Sequence, residues 1–378
     1  MHFGYTGEQE QFRDIVARFL RERSPMTAVR VQMASERGHD PALWRGLAEE
    51  LGLTGVHVPE RFGGQGFGLE ELCIAQEELG RALTCAPFFA SAVLATTALL
   101  ELADEAEQEA LLPALVAGER VATLAWVERG GLWSADASAL VATPNGDQVQ
   151  LNGHKHYVID GLAADLLLVV ARTPGSAGDA GLGLYAVEAN ADGLTRRGLA
   201  TIDTTRRQAE LVFTNCAARR LGAGRDFTTG FARVMDRATI ALAAEMVGGA
   251  HALLDSSVEY AKLRMQFGRP IGAFQAVKHK LAEMLLEVEL ATAAARYAAA
   301  AADANDAETS QLASHAKAMA SDAYMRAAVE AVQIHGGIGF TWDNDTHLWF
   351  KRARSSAVLL GDAAQHRERY IALTAVAA

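Results

Sequence analysis

Between residues 226 and 266 the sequence holds one helical pattern, about 40 residues that would reach near 60 Å at 1.5 Å of rise each. Such a helix has to bury an apolar stripe against neighbouring helices or other subunits. Further helices are predicted near 273–303, 307–335, 345–359 and 362–375, so the chain after about residue 226 reads as a long-helix bundle. The stretch ARYAAAAADAN (295–305) is biased in composition, but no repeat or low-complexity linker interrupts the pattern.

Helical periodicity also dominates residues 1–120. Thr6 with Gln9 makes a capping box, and Phe12, Ile15, Val16, Phe19 and Leu20 follow at the spacing of one buried face until Pro25 stops the helix. Asp40 and Pro41 read as N-cap and first residue of a second helix, with Leu43, Trp44, Leu47 and Leu51 inward and Gly52 as its C′ residue. Three more helical stretches follow near 69–83, 90–102 and 105–117. The texture changes at about 121. VATLAWV, ALVAT, QVQLNGHKHYVI, DLLLVVART, GLYAVE and QAELVF are short β-branched runs, and Asn152-Gly153 reads as a type I′ hairpin turn. Strands with no helices between them predict an antiparallel barrel or sandwich, not a parallel nucleotide-binding sheet. The expected class is α+β in three parts: an N-terminal helical domain (1–120), a middle antiparallel β domain (121–225) and a C-terminal helical bundle (226–378).

Composition narrows the function. With 378 residues, 50% of them hydrophobic, the chain is too apolar for disorder, yet no apolar run reaches the roughly 20 residues that span a bilayer, so membrane insertion is not expected. Lys plus Arg total 35 and Asp plus Glu 46, a formal net charge of −11, which argues against a nucleic-acid partner. Cys73, Cys85 and Cys216 include no CxxC, and the histidines, among them His279, His315, His335, His347 and His366, show no HExxH. Neither a disulfide framework nor a metal site is expected. The start, MHFGYTGEQEQF, lacks the basic-then-apolar shape of a signal peptide, and the expected location is cytoplasmic.

Three glycine-rich segments compete for attention. In GVHVPERFGGQGFG (55–68) the spacing Gly64-x-Gly66-x-Gly68 is not GxGxxG and no βαβ unit surrounds it, so a tight structural loop is expected. In YAKLRMQFGRPIGAFQAVKH (260–279) a simple helix end, with Gly268 as C′ residue and Pro270 blocking continuation, accounts for those two residues. It does not account for Arg264, Phe267, Phe274 and Gln275 gathered at one corner, where a cation, aromatic rings and an amide suit a pyrophosphate and an adenine. A second corner, QIHGGIGFTW (333–342), offers Gly336, Gly337 and Gly339 for close backbone approach to a ligand, or simply as a glycine cap. The basic stretch Lys351, Arg352 and Arg354 reads as a solvated or subunit-facing surface, with contact to CoA phosphates as the lesser alternative.

With these strings in hand, the whole chain resembles the acyl-CoA dehydrogenase family: PERFGGQG, LNGHKHYV, RMQFGRPIGAFQ and QIHGGIGF occur in that family's order. The resemblance implies non-covalent FAD between the β domain and the C-terminal bundle, an acyl-CoA substrate, and an electron-transferring flavoprotein as acceptor. It also implies that Arg264, Gln266, Phe267, Phe274, Gln275, Gln333, Gly336 and Gly337 hold the ADP part of an FAD bound chiefly by a neighbouring subunit.

The departures matter as much. One branch of the family carries its catalytic Glu before a Gly near the C-terminus, where this chain has Leu360 in AVLLGDAAQHR; the other carries it ten residues before the position of Gly248, where this chain has Ala238. Neither side chain can take a proton. Asp362 is a weak substitute that also reads as the N-cap of the last helix; Asp236 should point away from Ala238, and Glu245 reads as a paired helix residue. The family's ring-binding strings are altered too. AWVERGGLWSADAS (125–138) lacks the usual Thr, Pro and Gly-Ser-Asp, and Tyr157 and Ile159 stand where a flavin-facing Trp and Thr are usual.

The leading expectation is a subunit that shares FAD with a base-supplying acyl-CoA dehydrogenase paralogue in an α2β2 assembly. It resembles the non-catalytic component of heterotetrameric actinobacterial enzymes that act on steroid side chains. A self-sufficient homotetramer with a non-standard base or different flavin chemistry stays open, as does a non-catalytic binding or structural paralogue.

Overall fold

The computed structural model describes residues 4–146 and 148–377; the first three residues of the segment read for leader character lie outside these. In chain order the helices α1 (Gly7–Arg23), α2 (Met26–Ala34), α3 (Pro41–Glu49), α4 (Leu69–Arg81), α5 (Thr96–Leu102) and α6 (Glu105–Val116) come first, a π-helical turn at Phe89–Ala95 leading into α5. Strands β1 (Ala122–Ala125), β2 (Val141–Asn145), β3 (Gln148–Ile159), β4 (Leu166–Arg172), β5 (Leu182–Glu188), β6 (Leu194–Gly198) and β7 (Gln208–Leu221) follow. Then come α7 (Phe227–Leu263), the two-residue strands β8 (Met265–Gln266) and β9 (Arg269–Pro270), α8 (Gln275–Asp303), α9 (Thr309–His335), α10 (Thr346–Val358) and α11 (Ala363–Ala377). Helical N-terminal part, β middle and C-terminal long-helix bundle are the expected α+β architecture.

Contacts divide the chain into two compact units. One comprises the residues up to Arg30, Leu69–Thr84 and everything from Thr239; the other comprises Val31–Gly68 and Cys85–Ala238. In the first, Thr6 and Gln9 form the capping box of α1, and Val16, Phe19 and Leu20 are buried, whereas Ile15 is 43% exposed, outside the face expected for it. The amides of Leu69 and Glu70 at the start of α4 donate to the carboxylate of Asp303, the last residue of α8, at 2.8 and 2.9 Å. A carboxylate there satisfies orphan N–H groups and complements the positive helix end, joining α4 to the bundle.

In the second unit the pairing order β1-β4-β2-β3-β7-β5, with β5 returning to β4, closes the sheet on itself, and β6 pairs β7. The ladders are antiparallel, except that β1 runs parallel to β4 and β2 meets β4 in parallel at Val141 and Arg172. Asn152-Gly153 is not a turn: both residues lie inside the twelve-residue β3, where the register against β7 shifts between Leu151 and Gly153. β2 and β3 instead pair antiparallel from Val141 with Asn152 to Asn145 with Gln148. Gly153 marks a bulge with φ +137°, and a Cβ there would stand 3.1 Å from Leu140, so glycine serves strand bending and close approach rather than reversal. The loop 55–68 uses its amides internally, Gly64 to Pro59, Gln65 to Gly55, Gly66 to Val58 and Phe67 to Val56, and so forms a self-contained structural loop.

Candidate functional site

The corner at 264–275 is built by the sequence RMQFGRPIGAF closing back on itself. α7 ends at Leu263, and β8 and β9 pair Met265 with Pro270 and Gln266 with Arg269 around a two-residue turn, Phe267-Gly268. Both turn residues have positive φ (+52° and +75°), so Gly268 belongs to a tight hairpin and is not the C′ residue of α7. A non-glycine residue in the left-handed region is strained, and the turn presents Phe267 90% exposed, with Phe274 edge-to-face at 6.0 Å and the Arg269 guanidinium 4.2 Å from the Phe274 ring. The Ile271 amide donates to the Arg264 carbonyl at 2.8 Å, closing the corner.

The second corner lies beside the first. Tyr260 in the last turn of α7 stacks on His335, the last residue of α9, with ring centroids 4.3 Å apart. Gly336 and Gly337 follow immediately, exposed, with nothing within 4 Å of where a Cβ would stand; Gly339 by contrast packs on Val332 and His335. Among the described residues, no hydrogen bond or ion pair engages the side chains of Arg264, Gln266, Gln275 or Gln333, all of them exposed. The two corners together offer an unpaired cation, three free amides, two aromatic rings and open backbone. That set fits a diphosphate and a purine.

The two positions expected by resemblance to carry the family's base look different. Leu360 is 7% exposed with φ +61°; its carbonyl lies 3.0 Å from His366 Nε2, and the buried Lys317 ammonium donates to the next carbonyl, Gly361, at 3.0 Å. Ala238 on α7 is fully buried. Asp362 and Gln365 form a reciprocal cap at the start of α11, amide to side chain in both directions at 2.8 and 2.9 Å. Glu245 accepts from Arg352 Nη1 at 2.9 Å, both side chains nearly fully buried. Arg352 is therefore a core ion-pair partner, in contrast to the solvated role expected from its basic neighbours. Asp236 is buried, as Ala238 is, so α7 is covered on both of the sides that these residues face.

On the β unit, the string 125–138 is pinned to the strands. Glu128 accepts from Lys155 Nζ at 2.9 Å and from the amides of Ala139 and Leu140, while Lys155 also donates to Ser138 Oγ (2.6 Å) and the Trp126 carbonyl (3.1 Å). Burial pulls Lys155 down to about 8 against the upward pull of Glu128. Burial pushes the Glu128 carboxyl up, but Lys155 and the two amides outweigh it and hold it below the usual range. Tyr157 has φ +56° and stands edge-on to His156 at 4.5 Å; Ile159 is buried. The sequence reading missed a second cluster here, Arg129 and Arg197 both on Glu210. Its signal was a glutamate between the apolar Ala209 and Leu211 in the strand-like run QAELVF.

The fold defines a class first. It superposes on a steroid ACAD variant of Tcur3481–Tcur3483 (TM-score 0.87, 33% identity, 98% of each chain) and on the ChsE4–ChsE5 complex from Mycobacterium tuberculosis (TM-score 0.89, 27% identity, 99% of each chain), placing the chain among acyl-thioester oxidoreductase folds. The family models agree: the acyl-CoA dehydrogenase N-terminal domain matches residues 6–119 and the C-terminal domain residues 229–372. The acyl-CoA dehydrogenase IpdE2 of Mycobacterium tuberculosis is 37% identical over 359 residues, 93% of each chain. This chain belongs to the acyl-CoA dehydrogenase family, whose members are FAD-dependent oxidoreductases. No helix among the described residues is long and apolar enough to cross a membrane.

Proposed function

We propose that this chain is the base-less component of a two-subunit acyl-CoA dehydrogenase that desaturates the α,β-bond of an acyl-CoA thioester, with a paralogue supplying the base. A steroid side chain is the favoured acyl group, because the similar Tcur3481–Tcur3483 structure is that of a steroid ACAD. The observation that carries the reading is a contrast within the chain: Leu360 and Ala238 occupy the base positions, while Arg264, Gln275 and Gln333 stand free beside open backbone at Gly336 and Gly337.

In this reading Arg264 gives charge-assisted hydrogen bonds to a pyrophosphate. Phe267 and Phe274 stack on the adenine, and Gln266, Gln275, Gln333 and the amides of Gly336 and Gly337 fix the remaining polar edges. A bound FAD would supply the hydride acceptor for the substrate β-carbon, with an electron-transferring flavoprotein as the expected onward acceptor. The α-proton goes to a carboxylate of the paralogue. Asp362 is a poor candidate for that task because its carboxylate is already committed to the Gln365 amide.

The test is flavin stoichiometry with activity. Purified alone, the chain is expected to hold well under one FAD per protomer and to show no dye-linked dehydrogenation of a steroid acyl-CoA. Co-expression with a paralogue encoded nearby should give an α2β2 complex with fewer flavins than chains and with turnover. Full activity from the lone chain, with one FAD per protomer, would overturn the split-site reading in favour of a homotetramer.

A further inference from the structure

We propose that Arg129 and Arg197, tethered side by side on Glu210, form an anion site that takes a phosphate or pyrophosphate group of a nucleotide-bearing ligand. The site stands apart from the subunit assignment above, because it concerns binding by this chain's own β unit.

The geometry is that of a prepared fork. Arg197 on β6 lies directly across from Glu210 on β7 in the ladder, and Arg129 reaches the same carboxylate from the loop that follows β1. Arg129 donates through Nη2 at 2.7 Å and Nε at 3.2 Å to Glu210 Oε1; Arg197 donates through Nη2 at 2.7 Å and Nε at 3.1 Å to Oε2. Glu210 is 5% exposed, whereas each arginine side chain is 68% exposed. One buried carboxylate thus orients two guanidiniums whose remaining N–H groups face solvent.

Charge counting gives the ligand its sign. The hydrogen bonds from Arg129 and Arg197 hold the Glu210 carboxyl down at about 2, so it is ionised at any physiological pH. Two cations against one anion leave a net positive charge. Among the described residues Glu210 is the only carboxylate that either guanidinium pairs with. His156 sits beside the carboxylate, its Nδ1 buried, 3.5 Å from Oε1 and without a hydrogen-bond partner; burial lowers its pKa, so at neutral pH it adds a polar group and no charge. The neighbouring Arg196, by strand alternation, turns to the other face and spends its Nη1 on the carbonyls of Gly161, Leu162 and Ala164. Held guanidiniums lose little freedom on engaging a second anion, and their planar forks match phosphate oxygens.

The loop is rigid enough to serve. Glu128 is pinned inward to Lys155 and Arg129 outward to Glu210, two adjacent residues anchored on β3 and β7, while the His156 amide donates to the Val127 carbonyl at 2.8 Å. Phosphate chemistry could come from a flavin nucleotide or from the CoA portion of the substrate, and the two differ in what they carry. Only CoA has a ribose 3′-phosphate.

The full chain, in whichever assembly it purifies, is titrated by calorimetry with inorganic pyrophosphate, ADP, FAD, CoA and dephospho-CoA at 50 and 300 mM salt. Pyrophosphate is expected to bind and to weaken several-fold, by roughly threefold or more, at the higher salt. The Arg129→Gln/Arg197→Gln pair should weaken it by about tenfold or more, and the Lys pair by an intermediate factor, because charge survives and the fork does not. Where the Gln pair fails to fold, Arg129→Gln alone reads the same loss in smaller measure, Glu210 staying paired with Arg197. A loss in the Gln pair that falls on CoA and not on dephospho-CoA assigns the site to the 3′-phosphate of the substrate; an equal loss of FAD and ADP binding in the pair assigns it to a flavin diphosphate. Failure of wild type to bind any of the five, or equal affinity in wild type and the Gln pair, overturns the site whatever the flavin stoichiometry proves to be.

Discussion

The helical corner around Arg264 and the β-unit loop around Glu128 are both rich in polar side chains, and they spend them in opposite ways. At the corner, Arg264, Gln266, Gln275 and Gln333 are exposed and engage no other described side chain. At the loop, Lys155 is fully buried and all three of its donor directions are taken, by Glu128, Ser138 and the Trp126 carbonyl. A polar group whose hydrogen bonds are given to its own chain supports the fold, and one left unspent can give them to a ligand. The difference separates residues that hold this protomer together from residues available to a cofactor. Leu360 and Ala238, where the resemblance puts a base, are apolar and buried.

The sharpest break of that comparison lies in the committed pairs. Arg352→Ala would remove the buried cation that donates to the Glu245 carboxylate, and removal of one partner from such a pair costs about 3–5 kcal/mol. Lys155→Met strands Glu128 in the same way, though Glu128 keeps two amide donors, so a loss nearer the lower end of that range is expected. Thermal and urea unfolding of both variants gives the numbers. A loss no greater than that for the exposed pair Arg367 and Asp322 would show that the buried pairs are not what they are argued to be.

A smaller effect concerns pH. Burial lowers Lys317 to about 7 and Lys155 to about 8 from 10.5. Between those values and 10.5 the unfolded chain holds protons that the folded chain has released, so both groups make stability rise with pH over that window. Glu78 works the other way lower down. Burial, then Glu77, raises it from 4.5 to about 7, so across that interval the folded chain holds the extra proton and stability falls as pH rises. In Lys317→Met the lysine contribution is gone while the loss of its bonds to Gly361, Ala357 and Ser321 is independent of pH. The melting-temperature advantage of wild type over this variant should therefore widen from pH 7 to pH 9. An advantage that stayed level would mean that Lys317 keeps its proton throughout, held more strongly than the three neutral acceptors allow.

How far the sequence revealed this division depended on whether the signal was local. The capping box at Thr6, the Asp40-Pro41 helix start and the long bundle helices come from residues within four positions of one another, and they stand where periodicity put them or within three residues. Asn152-Gly153 was misread because a turn signal and a bulge signal are the same two residues, and only the partner strand β7 decides between them. β6 went unread since LTRRG has little β-branched content and exists by pairing with β7. Arg352 sits 107 positions from Glu245, so nothing near it announced a buried cation. At the corner the residue types were legible, but the hairpin that projects Phe267 was hidden behind a helix-end reading that the same Gly and Pro satisfy equally well.

The smallest expected change in stability is also the most discriminating for function. Arg264 is exposed and unpaired, so Arg264→Ala should alter unfolding free energy by no more than about 0.5 kcal/mol. A charge-assisted hydrogen bond to a phosphate is worth about 1.5–3 kcal/mol, so the same change should weaken FAD retention by roughly tenfold to a hundredfold in the complex with the paralogue. Flavin fluorescence after gel filtration reads the retention, and denaturant unfolding of the chain alone reads the stability. Loss of both together would place Arg264 with Lys155 and Arg352 among the residues that support the fold, and the contrast between the two regions would collapse. Loss of neither would leave the corner without its ligand. Only retention falling while stability stays level keeps the free cation in the role proposed for it.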